Sequence, residues 1–170
     1  MRVYLPATTT ALRTLVDDGV LRGPHTGFAV TDRLRRFYDL TDGDADVEEL
    51  EYAALLAAAR GSLRLLDLDP LATRRRVVLA ADVPDPAVHA VDEDEEERGA
   101  VRIEADVRLR DVASAHIDGA EAEADVSAAV AVVLEADLGS DDAQFVVEQA
   151  EGHELAWYAS QELGSVLELL

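Results

Sequence analysis

The chain has 170 residues, which is enough for one domain with a real core and short for two. It contains no cysteine, which excludes disulfides, thiolate catalysis and cysteine-ligated zinc. The net charge is −21, and all 15 basic residues are arginines lying between Arg2 and Arg110. Because such a field repels phosphate backbones and anionic lipids, we expect neither nucleic acid nor a membrane as partner.

The chain opens with a strand followed by a helix. Residues 2–6 predict a short strand that ends at Pro6. A threonine N-cap and Gly19 bound the next segment, where Leu12 and Leu15 share one helical face. This segment is predicted to be an amphipathic helix.

A second strand and two helices follow. Residues 27–31 predict the strand, and Thr31 can cap a short helix after it. The strongest helix prediction covers residues 47–66, where Asp46 and Glu49 have the capping-box spacing. The residues predicted to face inward on this helix are Leu50, Ala54, Ala57, Gly61 and Leu65.

A strand predicted to be buried comes next, followed by an acidic segment. Residues 74–84 form a nearly continuous apolar run, typical of a strand buried on both faces. Residues 85–99 include a run of six acidic side chains from Asp92 to Glu97 and predict a flexible surface loop, because like charges stay solvated. We expect one domain over residues 1–170, since a boundary here would leave two marginal cores.

The second half is predicted to add four strands and two helices. The strands cover residues 100–109, 111–118, 144–148 and 154–159, with Ala113, Ala115 and Ile117 on one face of the second. Between them, Asp118 has the capping-box spacing for a helix over residues 121–139. Its inward residues are predicted to be Ala122, Val126, Ala129, Val130 and Val133, and residues 160–170 predict a short C-terminal amphipathic helix.

This order of elements predicts an α+β fold, with a single mixed β-sheet and helices packed mainly on one face. A ferredoxin-like arrangement of strand, helix and strand is the favoured version. A doubly wound α/β sheet is the alternative. The order of strands in the sheet does not follow from one sequence.

Five blocks extend over nearly the whole chain in fixed order. They read RVYLPAT, EELEYAALLAAARGSLRLL, RRRVVLAADVPD, VASAHIDGAEAEADV and HELAWYASQEL. Together they resemble an uncharacterised family of small acidic actinobacterial proteins, a domain of unknown function. The resemblance implies a bacterial, cytoplasmic protein and supplies no activity, cofactor or catalytic residue.

Two histidines and two carboxylates are candidate metal ligands. His116 and Asp118 alternate on a predicted strand and therefore share a face, while His153 and Glu154 begin another strand. If the strand ends meet, these side chains suit a first-row metal. The alternative is that Asp118 caps a helix and His153 lies at the surface; Trp157 stands where a zinc-protease helix needs its second histidine. No cofactor is predicted.

Two arginine clusters are candidate anion-binding groups, because a guanidinium offers a planar fork of donors. Arg33 and Arg36 lie on a predicted helix, and Arg74 and Arg76 precede a buried strand. The favoured alternative is that the arginines pair with the arginine-free C-terminal half, within the fold or across a dimer.

Near the C-terminus, Trp157 and an apolar stripe are candidates for docking a partner or a second copy. The stripe consists of Leu163, Val166, Leu167 and Leu170, and burial against the chain's own sheet is its default interpretation. Since no complete catalytic motif is present, we expect a non-catalytic protein-interaction or self-associating module rather than an enzyme. The alternative is a small-molecule-binding protein or metal-dependent enzyme using the histidine–carboxylate edge or an arginine pocket.

Overall fold

The structure, a computed structural model, describes residues 1–42, 46–91 and 98–170, without the side chains of 39–42. Its described strands form one seven-stranded sheet in the order β5-β6-β3-β1-β4-β8-β9 and one two-stranded sheet of β2 and β7. The strands are β1 (Arg2–Ala7), β2 (Val20–Leu21), β3 (His25–Phe28), β4 (Val77–Asp82), β5 (Val88–Ala90), β6 (Ala100–Ile103), β7 (Val107–Arg108), β8 (Val112–Ile117) and β9 (Ala156–Ala159).

Helices cover both faces of the large sheet. They are α1 (Thr9–Asp18), α2 (Asp32–Asp42), α3 (Val47–Leu68), α4 (Glu123–Val130), α5 (Val133–Asp137), α6 (Asp141–Glu151) and α7 (Leu163–Leu167). The long helix α3 lies over β1, β3 and β4, and α4 to α6 pack against its C-terminal half. The short helices α1 and α7 pack on the opposite face. No described helix combines the length and apolar character needed to cross a membrane.

The predicted α+β class with one large sheet is confirmed. Each described pairing within this sheet is antiparallel. The doubly wound alternative would contain neighbouring parallel strands joined through a helix, and the described strands include no such pair. Helices therefore connect antiparallel neighbours here, as α1 does between β1 and β3.

The centre of the sheet is buried from both sides, as the apolar run before residue 84 predicted. Val77, Leu79 and Ala81 pack in the core beneath α1 and α7, while Val78 and Ala80 pack beneath α3. This alternation follows from the two-residue period of a strand.

Close approach of α3 to β1 depends on a small side chain at Gly61. A Cβ atom at Gly61 would lie 2.7 Å from Cγ of Pro6. The predicted inward stripe of α3 is confirmed at Leu50 and Ala54, which are buried. It is wrong at Leu65, which is 38% exposed near the helix end, where Leu66 is buried instead.

Local capping signals located the helix starts well. Thr8 accepts a hydrogen bond from the Ala11 N–H at 3.2 Å, and Thr31 accepts one from the Leu34 N–H at 3.1 Å. Asp46 caps α3 through the Glu48 N–H at 3.4 Å. Gly19 ends α1 with a positive φ of 74°, a conformation that glycine adopts without steric cost.

Two predictions for the second half are wrong. Residues 144–148 form part of α6 rather than a strand, because Ser140 caps a helix through the Ala143 N–H at 3.3 Å. Ala113 is exposed, since a register shift opposite Ala80 and Ala81 brings Val112 into the core instead. The five residues predicted to face inward between positions 122 and 133 are all buried, although the helix is divided into α4 and α5.

The segment predicted as a surface loop over residues 85–99 contains an edge strand. Residues 85–87 form a 3₁₀ turn, and β5 then pairs with β6. Residues 92–97, which carry the acidic run, lie outside the described part of the chain.

Candidate functional site

A fully buried ion pair joins Arg76 to Asp118. Nε and Nη2 of Arg76 each donate to the Asp118 carboxylate at 2.8 Å, and Nη2 also donates to the His153 carbonyl at 2.9 Å. The strand register explains the contact, because Val77 pairs with Ile117 and the two charged residues come next to that pair. Both side chains are 0% exposed. The prediction that Asp118 caps a helix is therefore wrong: its carboxylate binds Arg76.

One nitrogen of this buried guanidinium lacks an acceptor. Within the described residues, Nη1 of Arg76 has no hydrogen-bond partner, and leaving such a buried donor unsatisfied costs about 1–3 kcal/mol. Arg76 lines a cavity of about 260 Å³ together with Leu56, Ala57, Arg60 and Glu151. The guanidinium itself is closed off behind the cavity wall, since the Arg76 side chain is 0% exposed.

Arg60 connects this cavity to a larger cleft of about 560 Å³ between α2, α3 and the α5–α6 turn. Its Nη1 donates to Glu151 at 3.0 Å, and its Nη2 donates to Gln144 at 2.9 Å and Asp137 at 3.1 Å. Arg64 donates to the same Asp137 carboxylate at 2.7 Å. Burial raises the pKa of Asp137, but the bonds and charges of Arg64 and Arg60 hold it below its usual value.

Among the clustered arginines, the expected pairing with the arginine-free C-terminal half is seen at Arg76, which binds Asp118; Arg60 and Arg64 make the same kind of contact. A further pair joins Arg75 to Glu123 at 2.7 Å. Arg74 instead donates to the Leu66 carbonyl near the end of α3 at 2.6 Å, where the helix dipole favours a cation. Arg33 and Arg36 lie on α2, and Arg36 donates to the Asp32 carbonyl at 3.1 Å.

The four predicted metal ligands do not gather into a metal-binding group. Asp118 is occupied by Arg76, and Nε2 of His153 lies 2.7 Å from a carboxylate oxygen of Asp125. His116 is half-buried on β8, and Glu154 is exposed. In the described ranges, no set of three or more histidine and carboxylate side chains is arranged to hold a metal ion.

His116 and Trp157 lie opposite each other on β8 and β9. They are register partners, so both side chains project from the same face as Val78, which pairs with His116. That face is covered by α3 only over β1, β3 and β4, and Trp157 is 61% exposed. The chain's only tryptophan therefore reports on the environment of His116.

Acidification is expected to change tryptophan fluorescence through His116. Burial lowers the pKa of His116 below its ordinary value of 6.5, so the folded state favours neutral imidazole. This contribution to stability is present above pH 6.5 and is lost as the pH falls through the lowered pKa. A fluorescence titration should show quenching with a midpoint below 6.5, because the imidazolium forms beside the indole ring.

Two variants identify the histidine responsible for that transition. His116→Gln should remove it, while His153→Gln should leave it in place. A midpoint at or above 6.5, or a transition that survives in His116→Gln, would contradict the assignment.

The predicted docking stripe is part of the core. Leu163 is 0%, Val166 8% and Leu167 6% exposed, and all three pack beneath the sheet beside α1. Leu170 is partly buried against the same core. The structure therefore agrees with the default interpretation, burial against the chain's own sheet, and not with docking, because these side chains cover the sheet face opposite α3. Trp157 is the exposed member of the set.

Sequence patterns did not identify Arg60 and Glu151 as site residues. Arg60 and Arg64 have the four-residue spacing of one helix face, which is a detectable signal. The contact of Glu151 with Arg60 does not follow from the sequence, because the strand predicted over residues 144–148 does not place Glu151 at the end of a helix beside α3.

Comparison with known proteins identifies a family. The model of a family of unknown function, DUF6912, matches residues 1–167. No curated protein and no solved structure matches the chain. The chain belongs to this family, which confirms the predicted membership of an uncharacterised family.

Proposed function

We propose that this DUF6912 protein is a non-catalytic interaction module that binds an extended basic segment of a protein partner along β9. The observation that supports the proposal is a strand at the edge of the large sheet carrying an exposed tryptophan. Among the described strands, β9 pairs only with β8. Its Trp157 is 61% exposed.

The backbone of β9 offers part of an unpaired edge. The Ala159 N–H is bonded to the Glu162 carboxylate at 2.9 Å and so points away from β8. Alternate residues of an antiparallel strand direct their N–H and C=O groups to the same side, so those of Trp157 also face outward. A partner strand can therefore add to β9 at Trp157, while Glu162 limits the length of the free edge.

Charge favours a basic partner over a second copy of the chain. From Asp111 onward the chain has 14 acidic residues and no basic one, and the exposed Glu154 and Glu162 flank β9. Two copies would each bring a net charge of −21 to the contact. A segment rich in arginine or lysine instead gains from complementary charge.

The exposed ring of Trp157 adds a side-chain contact to the backbone pairing and the charge attraction proposed for β9. Tryptophan is enriched among the residues that dominate binding energy at interfaces. A partner arginine or lysine above the ring would add a cation–π interaction of about 0.5–1 kcal/mol at an exposed position.

Trp157→Ala is expected to weaken binding of a basic strand-forming peptide by about 30-fold, corresponding to the roughly 2 kcal/mol of a dominant interface residue. The probe is a short peptide of alternating arginine and valine, and binding is measured by calorimetry. The matched peptide has glutamate in place of arginine and should not bind, and added salt should weaken the basic peptide.

Phe145→Ala is the matched control, because Phe145 is 65% exposed but lies on α6 rather than β9. It should leave the affinity unchanged. Equal losses in both variants, or tight binding of the glutamate peptide, would overturn the proposal. A dimer in sedimentation that Trp157→Ala dissociates would replace the basic partner with a second copy.

A further inference from the structure

The larger cleft, with a volume of about 560 Å³, carries an excess of positive charge in a chain whose net charge is −21. Arg60, Arg64 and Arg98 line it, and in the part of the chain that the structure describes Asp137 is the one carboxylate in its lining. Glu151 binds Arg60 from the smaller cavity. Three guanidinium groups therefore stand against two carboxylates, so the cleft favours an anionic ligand.

Arg98 is the cation of this group that has no acidic partner in the described ranges. Its Cζ atom lies 4.0 Å from the centre of the Phe37 ring, and its half-buried side chain makes no hydrogen bond or ion pair to the described residues. A cation–π contact supplies no hydrogen-bond acceptor. The planar fork of donors of Arg98 is therefore available to an oxyanion.

Arg60 and Arg64 are held in fixed positions and remain accessible. Both donate to the Asp137 carboxylate, and Arg60 also donates to Gln144 at 2.9 Å. Their side chains are 23% and 33% exposed. Cations that the fold already positions bind an anion without a further cost for ordering long side chains.

The same cleft has an aromatic and apolar wall. Phe37 and Tyr38 line it on α2, with ring centres 5.6 Å apart and ring planes at 84°. Because Arg98 lies over the Phe37 ring, the apolar contact for a ligand comes mainly from Tyr38, together with Ala53 and Ala57 of α3. The volume of the cleft lies within the roughly 300–1,000 Å³ typical of small-molecule sites.

We propose that this cleft binds a phosphate monoester that carries an aromatic ring, with the phosphate on Arg98 and the ring against Tyr38 and Ala53. Arg60 and Arg64 add positive potential around the phosphate. A phosphate monoester is preferred to a carboxylate because its charge of about −1.5 to −2 and its three terminal oxygens use more of the positive charge and donors. The site lies away from β9, so loss of peptide binding in Trp157→Ala leaves this proposal standing.

The test compares phenyl phosphate with molecules that lack one part of it, by NMR titration of the full chain. Phenyl phosphate should shift the amide signals of Gly99 and Gly139, which line the cleft, and saturate with a Kd of about 1 mM or tighter. Inorganic phosphate lacks the ring and phenol lacks the phosphate, so each should bind at least tenfold more weakly.

Three results would contradict the proposal. No saturation by phenyl phosphate would overturn the site. Equal affinity for inorganic phosphate would overturn the contact with the ring. Equal affinity for benzoate would replace the phosphate with a carboxylate.

Arg98→Gln should weaken phenyl phosphate at least tenfold and leave the weaker binding of phenol unchanged, since the lost contact is with the phosphate. Arg102→Gln is the matched control, because Arg102 lies on β6 outside the cleft lining and its side chain is 60% exposed. It should bind phenyl phosphate like the wild type. Equal losses in the two variants, or an equal loss of phenol binding in Arg98→Gln, would overturn the assignment of Arg98.

A second pair of variants locates the ligand. Ala53→Trp should fill the cleft and abolish binding of phenyl phosphate. Tyr52→Trp places the same side chain one position earlier on α3, at a residue that is 55% exposed and outside the cleft lining, and should bind like the wild type. Circular dichroism confirms that each variant is folded. Binding retained in Ala53→Trp would contradict the location.

Discussion

Replacing Arg76 with methionine is expected to lower the free energy of unfolding by about 3–5 kcal/mol, because it leaves the Asp118 carboxylate buried without its cation. Asp118 is buried and accepts three hydrogen bonds from Arg76, one of them from the backbone N–H. Two of the three bonds are lost with the guanidinium. Urea unfolding monitored by circular dichroism measures the change.

Two further variants show whether this loss reflects an uncompensated buried charge. Adding Asp118→Leu to Arg76→Met should recover part of the lost stability, since replacing both members of a buried pair is often tolerated. Arg2→Met breaks the exposed pair with Asp82, whose contact is also 2.8 Å, and should cost about 1 kcal/mol or less. If Arg76→Met lowers the free energy of unfolding by no more than Arg2→Met does, burial does not determine how much the Arg76–Asp118 pair contributes to stability.

Leu163→Ala is expected to cost about 2–5 kcal/mol of stability, the range for deleting a fully buried leucine side chain. Leu163 is 0% exposed and begins α7, so the truncation leaves a cavity between this helix and the sheet. The change in the midpoint of urea unfolding, with an unchanged slope, would report the loss.

Leu169→Ala serves as the control for that experiment. Leu169 is 81% exposed, two residues beyond the end of α7, and its truncation should alter stability by no more than about 0.5 kcal/mol. Equal effects at the two positions would mean that α7 does not pack as a core helix.

Local signals were sufficient for much of the fold. Thr8, Thr31 and Asp46 marked helix starts because a cap acts on N–H groups two or three residues away. The uninterrupted apolar run at β4 also predicted a central strand from consecutive residues alone, because a strand buried on both faces needs apolar side chains at every position. The antiparallel order of the strands did not follow, because pairing joins segments that are far apart in sequence.

The candidate sites were less predictable because their contacts also join segments that are far apart in sequence. Asp118 has the spacing of a helix cap, yet its partner Arg76 lies 42 residues earlier, and no local pattern connects them. The β-branched residues before Glu151 favoured a strand prediction, whereas the Ser140 cap and the tertiary packing of Val147 determine a helix. Whether Trp157 or the stripe at Leu163 is exposed depends on which sheet face α7 covers, and no local pattern specifies that face.

The strand order has a consequence for synthesis of the protein on the ribosome. β6 separates β5 from β3, and β8 covers the open side of β4, although both β6 and β8 come after residue 98. A nascent chain that ends at Val91 therefore holds β3 and β4 as uncovered sheet edges, and its β5 has no neighbour to pair with. Such edges invite intermolecular pairing. The part of the chain after residue 98 therefore supplies the strands that pair with both edges, β6 with β3 and β8 with β4.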